Sequence, residues 1–165
     1  MDALEAGRLD RDAFVARFGG VFEESPWIAA AAWERRPFAG VAGLHAAMVA
    51  VVEEAPHEER LALIRAHPDL GTKARIGDES TREQAAAGLD RLTPEQYERI
   101  TTLTAAHRER FGIPFIVCAR EHTPDTIIAA AEARAGAAPD EEERTALAEI
   151  AKIARLRLDD LLEGP

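Results

Sequence analysis

The sequence predicts an all-α protein, and three features of it carry that prediction. Helix-start pairs recur as Ser25-Pro26, Thr93-Pro94 and Thr123-Pro124, each a capping residue followed by a proline whose missing N–H is not needed in a first turn. Alanine-rich runs at Ala29–Ala32 and Ala129–Ala131 favour close helix packing over strands. Two long segments carry apolar residues at helical spacing, Tyr97, Ile100, Thr104, His107 and Phe111 in one and Leu147, Ile150, Ala154, Leu158 and Leu161 in the other. The expectation is one domain over residues 1–165, a bundle of about seven or eight helices with one irregular buried segment near 111–120.

The elements follow in order. Gly19-Gly20 stands where an early helix should end. Ser25-Pro26 opens the next helix and Pro37 closes it, because the residue before a proline is pushed away from the helical region. A break falls at Asp69–Glu79, with Gly71, Gly77 and Asp78. Thr93-Pro94 starts a long helix. The stretch after it, Phe111-Gly-Ile-Pro-Phe-Ile-Val-Cys-Ala119, has β-branched residues, a glycine and a proline, and reads as buried and extended. No second strand is available to pair with it, so a sheet does not follow. Thr123-Pro124 restarts the helical pattern, Gly136 ends that helix, and the last segment is one amphipathic helix.

Composition narrows the function classes. The chain has 165 residues, 30 acidic and 20 basic, for a net charge of −10. Nucleic-acid coating and attraction to anionic lipid both need clustered Lys and Arg, so neither is expected. Hydrophobic residues are 47% and aromatics 5%, which calls for a core built mostly from Ala, Leu, Ile and Val. One cysteine, Cys118, excludes an intrachain disulfide and any multi-cysteine zinc or iron–sulfur site. Ser25–Ala32, the longest nearly uncharged stretch, is too short to span a bilayer. No basic-then-apolar leader opens the sequence and no peroxisomal tripeptide closes it, so a cytoplasmic protein is expected.

His67 is the first candidate for chemistry. It precedes Pro68, so it should sit at a helix end facing a loop, where the helix C-terminus favours an imidazolium suited to donating a proton. On local sequence alone the favoured reading is the simpler one, a histidine that only hydrogen-bonds a helix carbonyl. Glu83 is second, in Ser80-Thr-Arg-Glu-Gln84, which reads as a capping box with Glu83 reaching back to the Ser80 amide. A functional role requires that cap to lie beside His67, so that N-terminal amides and Gln84 can hold a polar ligand. His107 shares a helix face with Ile100 and reads as a core histidine. His45, His57 and His122 have no metal-ligand spacing among themselves, and His67 with Asp69 alone makes a poor site, so zinc is not expected. Cys118 lies in an apolar run and reads as an inert buried thiol. Gly71-Thr-Lys73 lacks phosphate-loop spacing. Arg120 directly follows a buried apolar run and needs a partner, either an internal carboxylate or a ligand.

Three segments, Leu63-Ile-Arg-Ala-His-Pro-Asp-Leu-Gly71, Ser80-x-x-Glu-Gln84 with Ala87-Gly-Leu-Asp90, and Phe111-Gly-Ile-Pro-Phe-Ile-Val-Cys-Ala-Arg120, together resemble the OHCU decarboxylases of urate breakdown. The resemblance covers nearly the whole chain, with the motifs in the family's order. It implies an all-α fold, a homodimer and no cofactor. It also implies conversion of 2-oxo-4-hydroxy-4-carboxy-5-ureidoimidazoline (OHCU) to (S)-allantoin, with urate oxidase and hydroxyisourate hydrolase as pathway neighbours rather than bound subunits. By the same carry-over His67 is the catalytic proton donor and Glu83 its acid–base partner. The resemblance likewise implies that Pro68, Ser80, Thr81, Arg82, Glu83, Gln84, Ile116, Val117, Cys118, Ala119 and Arg120 contact the substrate. Two other readings compete. A hydrolase would use His67 and Glu83 to activate water on a neighbouring metabolite, and a helical binding module would use an Ala/Leu face and no chemistry.

Overall fold

The computed structural model describes residues 1–70 and 78–162, with side chains for 1–70 and 82–162. Nine α-helices and one short 3₁₀ turn lie among the described residues: α1 (Ala3–Ala6), α2 (Arg11–Phe18), α3 (Pro26–Trp33), α4 (Gly40–Glu54), α5 (His57–Ala66), α6 (Asp78–Ala86), α7 (Pro94–Phe111), the turn Ala119–Glu121, α8 (Pro124–Arg134) and α9 (Pro139–Leu161). No strand occurs among them. The all-α expectation holds, with nine helices among the described residues against the seven or eight expected; the four-residue α1 is too short to show a period.

The described chain falls into two compact units, Met1–Ala66 with Ala151–Pro165, and His67–Ile150. Within the first, α2 packs on α3, α3 on α4 and α1 on α4. Its core gathers Phe14, Phe18, Ile28, Leu44 and Met48, each at most 1% exposed. Phe14 holds Phe18 at 4.8 Å and Phe38 at 5.8 Å between ring centres. Most of the chain's few aromatics are therefore spent in this unit, and each such side chain contributes roughly 1.5–3 kcal/mol on burial. Asp2 and Asp10 cap α1 and α2 through their carboxylates. Ser25 occupies the cap position of α3 with Pro26 behind it, but its hydroxyl donates instead to the Glu23 carbonyl at 2.7 Å. The capping position was correctly located; the side-chain cap does not form, because Ser25 lies outside the extended region that aims a hydroxyl at the first turn.

In the second unit α7 packs on α8, and α6 packs on the Ala119–Glu121 turn. Thr93 caps α7 by the expected device, with reciprocal bonds to Gln96 at 3.1 Å, and Thr123 caps α8 with Thr126. Gly112 ends α7 in the left-handed region at φ 70°, a conformation that costs other residues a Cβ clash. Tyr97 departs from the expected face of α7: it is 49% exposed, whereas Ile100 and His107 are buried. Residues 113–118 then run without regular structure and are all buried, as the β-branched, proline-bearing sequence predicts.

Candidate functional site

The three motif segments share one apolar cluster in the second unit. The second segment gives the cluster Ala87 and Leu89, and the third gives it Phe115, Val117 and Ala119. Ile100, Ile127 and Ala131 complete it, and Leu70 of the first segment packs against it. Sequence separation is bridged here by ordinary burial, since each segment brings small or branched apolar residues that no helix of its own covers. The Ala87-Gly88-Leu89 turn makes the second contribution possible. Gly88 adopts φ +83°, which ends α6 and lets the Leu89 amide close onto the Gln84 carbonyl at 3.0 Å.

His67 directly follows α5, is the first residue of the second unit, and is buried at 7% exposure. Pro68 beside it is half-buried. Asp69 takes both carboxylate oxygens to Arg108 of α7 at 3.0 Å, so the strip after His67 is tied to a long helix. Asp69 is thus a tether; among the described residues no group of three His, Cys, Asp or Glu is arranged to hold a metal ion.

Glu83 is 6% exposed on α6, and Arg120 Nε stands 3.8 Å from its Oε2. A carboxylate so buried depends on a nearby cation, and this pairing brings the second and third motifs together through charged groups as well as apolar ones. Arg120 had two possible partners in sequence terms, a ligand or an internal acid, and the structure supplies the acid while leaving 28% of the arginine side chain exposed. The capping-box reading of Ser80 does not survive. Helix α6 already includes Asp78, so Ser80 lies inside it rather than at its cap, and the side chains of Ser80 and Thr81 lie outside the described residues. Arg82 is exposed and Gln84 half-buried on the same helix.

Ile116, Val117, Cys118 and Ala119 are all buried, at 6% exposure or less, so Arg120 is the residue of this segment whose side chain reaches solvent. The segment's backbone has no helix or sheet to satisfy it, and buried peptide groups cost free energy when unpaired. Side chains supply part of what is missing. His107 Nδ1 donates to the Ile113 carbonyl at 3.2 Å, Arg134 Nη1 donates to the Ile116 carbonyl at 2.6 Å, and the Cys118 amide donates to Glu149 Oε1 at 3.3 Å. Two of the anchors are joined behind the segment. Glu142, fully buried, accepts from His107 Nε2 at 2.8 Å and from Arg134 Nε at 3.0 and 3.1 Å, with Arg134 Nη2 also on Oε1. Burial alone would raise the Glu142 carboxyl, but the hydrogen bonds and charges of His107 and Arg134 outweigh it and hold the group below its ordinary value. No described buried side-chain nitrogen or oxygen lacks a partner. Cys118 is a fully buried thiol outside any disulfide, and His107 is the core histidine that its helix face predicted.

Sequence reasoning missed Arg134, Glu142 and Glu149. Their signal was faint but present. Glu142, Ala146, Ile150, Ala154 and Leu158 form a buried row at every fourth position of α9, with Glu149, Ile153 and Arg157 beside it. A charged residue on such a row has to be paired inside the protein.

Comparisons with known proteins bear on the same segments. The family model described as OHCU decarboxylase matches residues 7–159. A 2-oxo-4-hydroxy-4-carboxy-5-ureidoimidazoline decarboxylase of Haloferax volcanii is 47% identical, covering 93% of this chain and 92% of its own length. The uric acid degradation bifunctional protein PucL of Bacillus subtilis is 39% identical over 98% of this chain, which matches only 32% of that longer protein. A solved structure titled (S)-allantoin synthase superposes with a TM-score of 0.81 at 28% identity over 98% of this chain, and the chain spans about half of it (54%).

Proposed function

The chain belongs to the OHCU decarboxylase family, and we propose that it removes the carboxyl group of OHCU to give (S)-allantoin, without a cofactor. The observation that carries this reading is the convergence of the three motif segments on one cluster, with Glu83 and Arg120 paired at its edge. The family match spans residues of both units, which supports treating 1–165 as one functional domain. Identity to a urate-degradation protein supports the pathway context.

The chemistry asks for few groups. In OHCU a C=N bond adjoins the carbon that bears the carboxylate and hydroxyl. As carbon dioxide departs, its bonding pair forms a C=C bond to the neighbouring carbon, and the C=N pair moves onto the ring nitrogen, which takes up a proton. The hydroxyl then gives up its proton to become a carbonyl while a second proton is delivered to that neighbouring carbon. The protein must orient the substrate, stabilise charge arriving on the ring and place that proton on one face. In this reading His67 donates the proton and Glu83 is its acid–base partner, a contribution of roughly 10²–10⁴-fold. Delivery from one face accounts for a single enantiomer. Pro68 and residues 80–84 and 116–120 contact the substrate, the buried 116–119 stretch through its backbone and shape rather than its side chains.

Arg120 is assigned away from the scissile carboxylate. A guanidinium clamped there would favour the ground state, where charge sits on the carboxylate, over a transition state that has moved it into the ring. Its position beside Glu83 supports a role on the ring carbonyls or ureido group and on Glu83 itself. Arg120→Lys is expected to lower turnover; unchanged turnover with lost dependence of binding on the carboxylate would contradict the assignment. The protein is further proposed to be a cytoplasmic homodimer. No described helix is long and apolar enough to cross a membrane.

The test generates OHCU in the cuvette from urate with urate oxidase and hydroxyisourate hydrolase, then adds the protein and follows ultraviolet decay with trapped carbon dioxide. One carbon dioxide per OHCU consumed, at a rate proportional to protein, is expected. Consumption without carbon dioxide would make the protein a hydrolase. Decay at the spontaneous rate would leave it a binding module.

A further inference from the structure

The 113–118 segment raises a question that the family reading does not answer. It is the third motif, it leads directly to Arg120, and it has no regular structure. Something else must fix its path. The guanidinium of Arg134 is used on every side: Nε and Nη2 on the Glu142 carboxylate, Nη1 on the Ile116 carbonyl at 2.6 Å, and its face over the Phe115 ring at 4.4 Å. Glu142 in turn holds His107, whose other ring nitrogen holds the Ile113 carbonyl and whose ring lies 5.5 Å from Phe115 edge-on. Two carbonyls of the segment, three residues apart, are thereby referenced to one fully buried carboxylate.

We propose that Arg134, through its fork to Glu142 and its bond to the Ile116 carbonyl, is a positioning residue for the reaction: it sets the path of 113–118 and so the placement of Arg120 against Glu83. The proposal rests on the functional reading above. Arg134 touches no reacting atom. Its chemistry explains why an arginine stands there, since only a planar fork binds a carboxylate with two edges and a carbonyl with the third. A lysine keeps the charge and reaches one acceptor well, so Ile116 or Glu142 loses its partner and the segment gains freedom.

The experiment compares wild type, Arg134→Lys and, as a control from the first unit, Arg157→Lys, all at 15 °C and below their melting transitions. Two readouts are taken: hydrogen exchange at the amides of residues 115–119, and kcat and KM on freshly generated OHCU. For Arg134→Lys, faster exchange confined to 115–119 is expected, with a loss of about 10–100-fold carried by kcat rather than KM, the size that a small misplacement of reacting groups produces. Arg157→Lys should leave kcat and KM at wild-type values. Faster exchange at 115–119 with wild-type kcat would overturn the proposal, because the cluster would then serve the fold alone; so would unchanged exchange and unchanged kcat. If Arg134→Lys does not fold, Glu142→Gln, which keeps the shape and loses the charge, takes its place under the same criteria. Failure of both to fold also overturns the proposal. A wild-type protein that leaves OHCU decaying at its spontaneous rate would instead defeat the functional reading, and the exchange data would still report what Arg134 does to the segment.

Discussion

Both units bury a non-helical stretch, and both secure it with an arginine paired to a carboxylate, but they spend very different amounts of polar contact on it. In the first unit, Arg157 of α9 donates to the Val21 carbonyl at 3.1 Å and pairs with Glu23 at 2.9 Å, holding the stretch between α2 and α3. The burial there is carried by two apolar residues, Val21 and Phe22, beside a core of phenylalanines. In the second unit six consecutive residues, 113–118, are buried, and His107, Arg134 and Glu149 each bond their backbone, with Glu142 behind two of the three. Burying polar groups and charges costs more than burying hydrocarbon, and a buried ion pair is weak evidence for stability by itself. The greater expenditure in the second unit is better understood as fixing a geometry, and the segment so fixed carries the third motif and Arg120.

The comparison can be sharpened most by a substitution that touches only the proposed chemistry. His67→Asn is expected to lower kcat by roughly 10²–10⁴-fold while the melting temperature stays near wild type, measured by OHCU turnover alongside thermal denaturation. Next in size, Glu142→Ala strands a half-buried arginine and a buried histidine, and should cost about 3–5 kcal/mol in denaturant unfolding. A loss under about 1 kcal/mol, the range of an exposed pair, would mean that the network is not buried as described.

The same carboxylate gives a pH signature. Its folded value lies below its ordinary one, so its contribution is present above the ordinary carboxylate range and is lost as pH falls through the folded value. Unfolding free energy should therefore drop more steeply with acid in wild type than in Glu142→Gln, which has no proton to take up at that site. Parallel acid limbs would contradict this. In the first unit, Glu23→Gln should cost about 1–3 kcal/mol, because Arg157 keeps the Val21 carbonyl but loses its charged partner, and turnover should not change. The smallest effect is expected at Asp69→Asn. Its pair with Arg108 is half exposed on both sides, so stability should move by only about 0–1 kcal/mol in a two-state denaturation.

Helices were legible in this sequence wherever a local rule decides them. Thr93-Pro94, Thr123-Pro124 and Gly112 act within four residues of themselves, and each behaves as its residue type dictates. The irregular segment was legible for the same reason, since Gly112, Pro114 and a β-branched run leave the helix few options. Ser80 misled because Ser-x-x-Glu states only that two residues can bond, and it does not say that the chain enters the helix there; α6 already includes Asp78. Tyr97 misled because period alone does not tell a helix face that packs from one that meets water. At the site, the residue types His67, Glu83 and Arg120 were readable, and the Glu83–Arg120 pairing was not, because it depends on α6 packing against the turn that follows 113–118. The anchors were least legible. Arg134, Glu142 and Glu149 lie 18, 35 and 31 residues from Ile116, His107 and Cys118, and their ordinary helical surroundings give no local hint of those partners.

The most direct test of the account follows the circular dichroism of allantoin formed from fresh OHCU in the presence of this protein. The account predicts a strong signal of the (S) hand that rises at a rate proportional to protein concentration, and that vanishes with His67→Asn. Product that is racemic, formed at the spontaneous rate whatever the protein concentration, would contradict it.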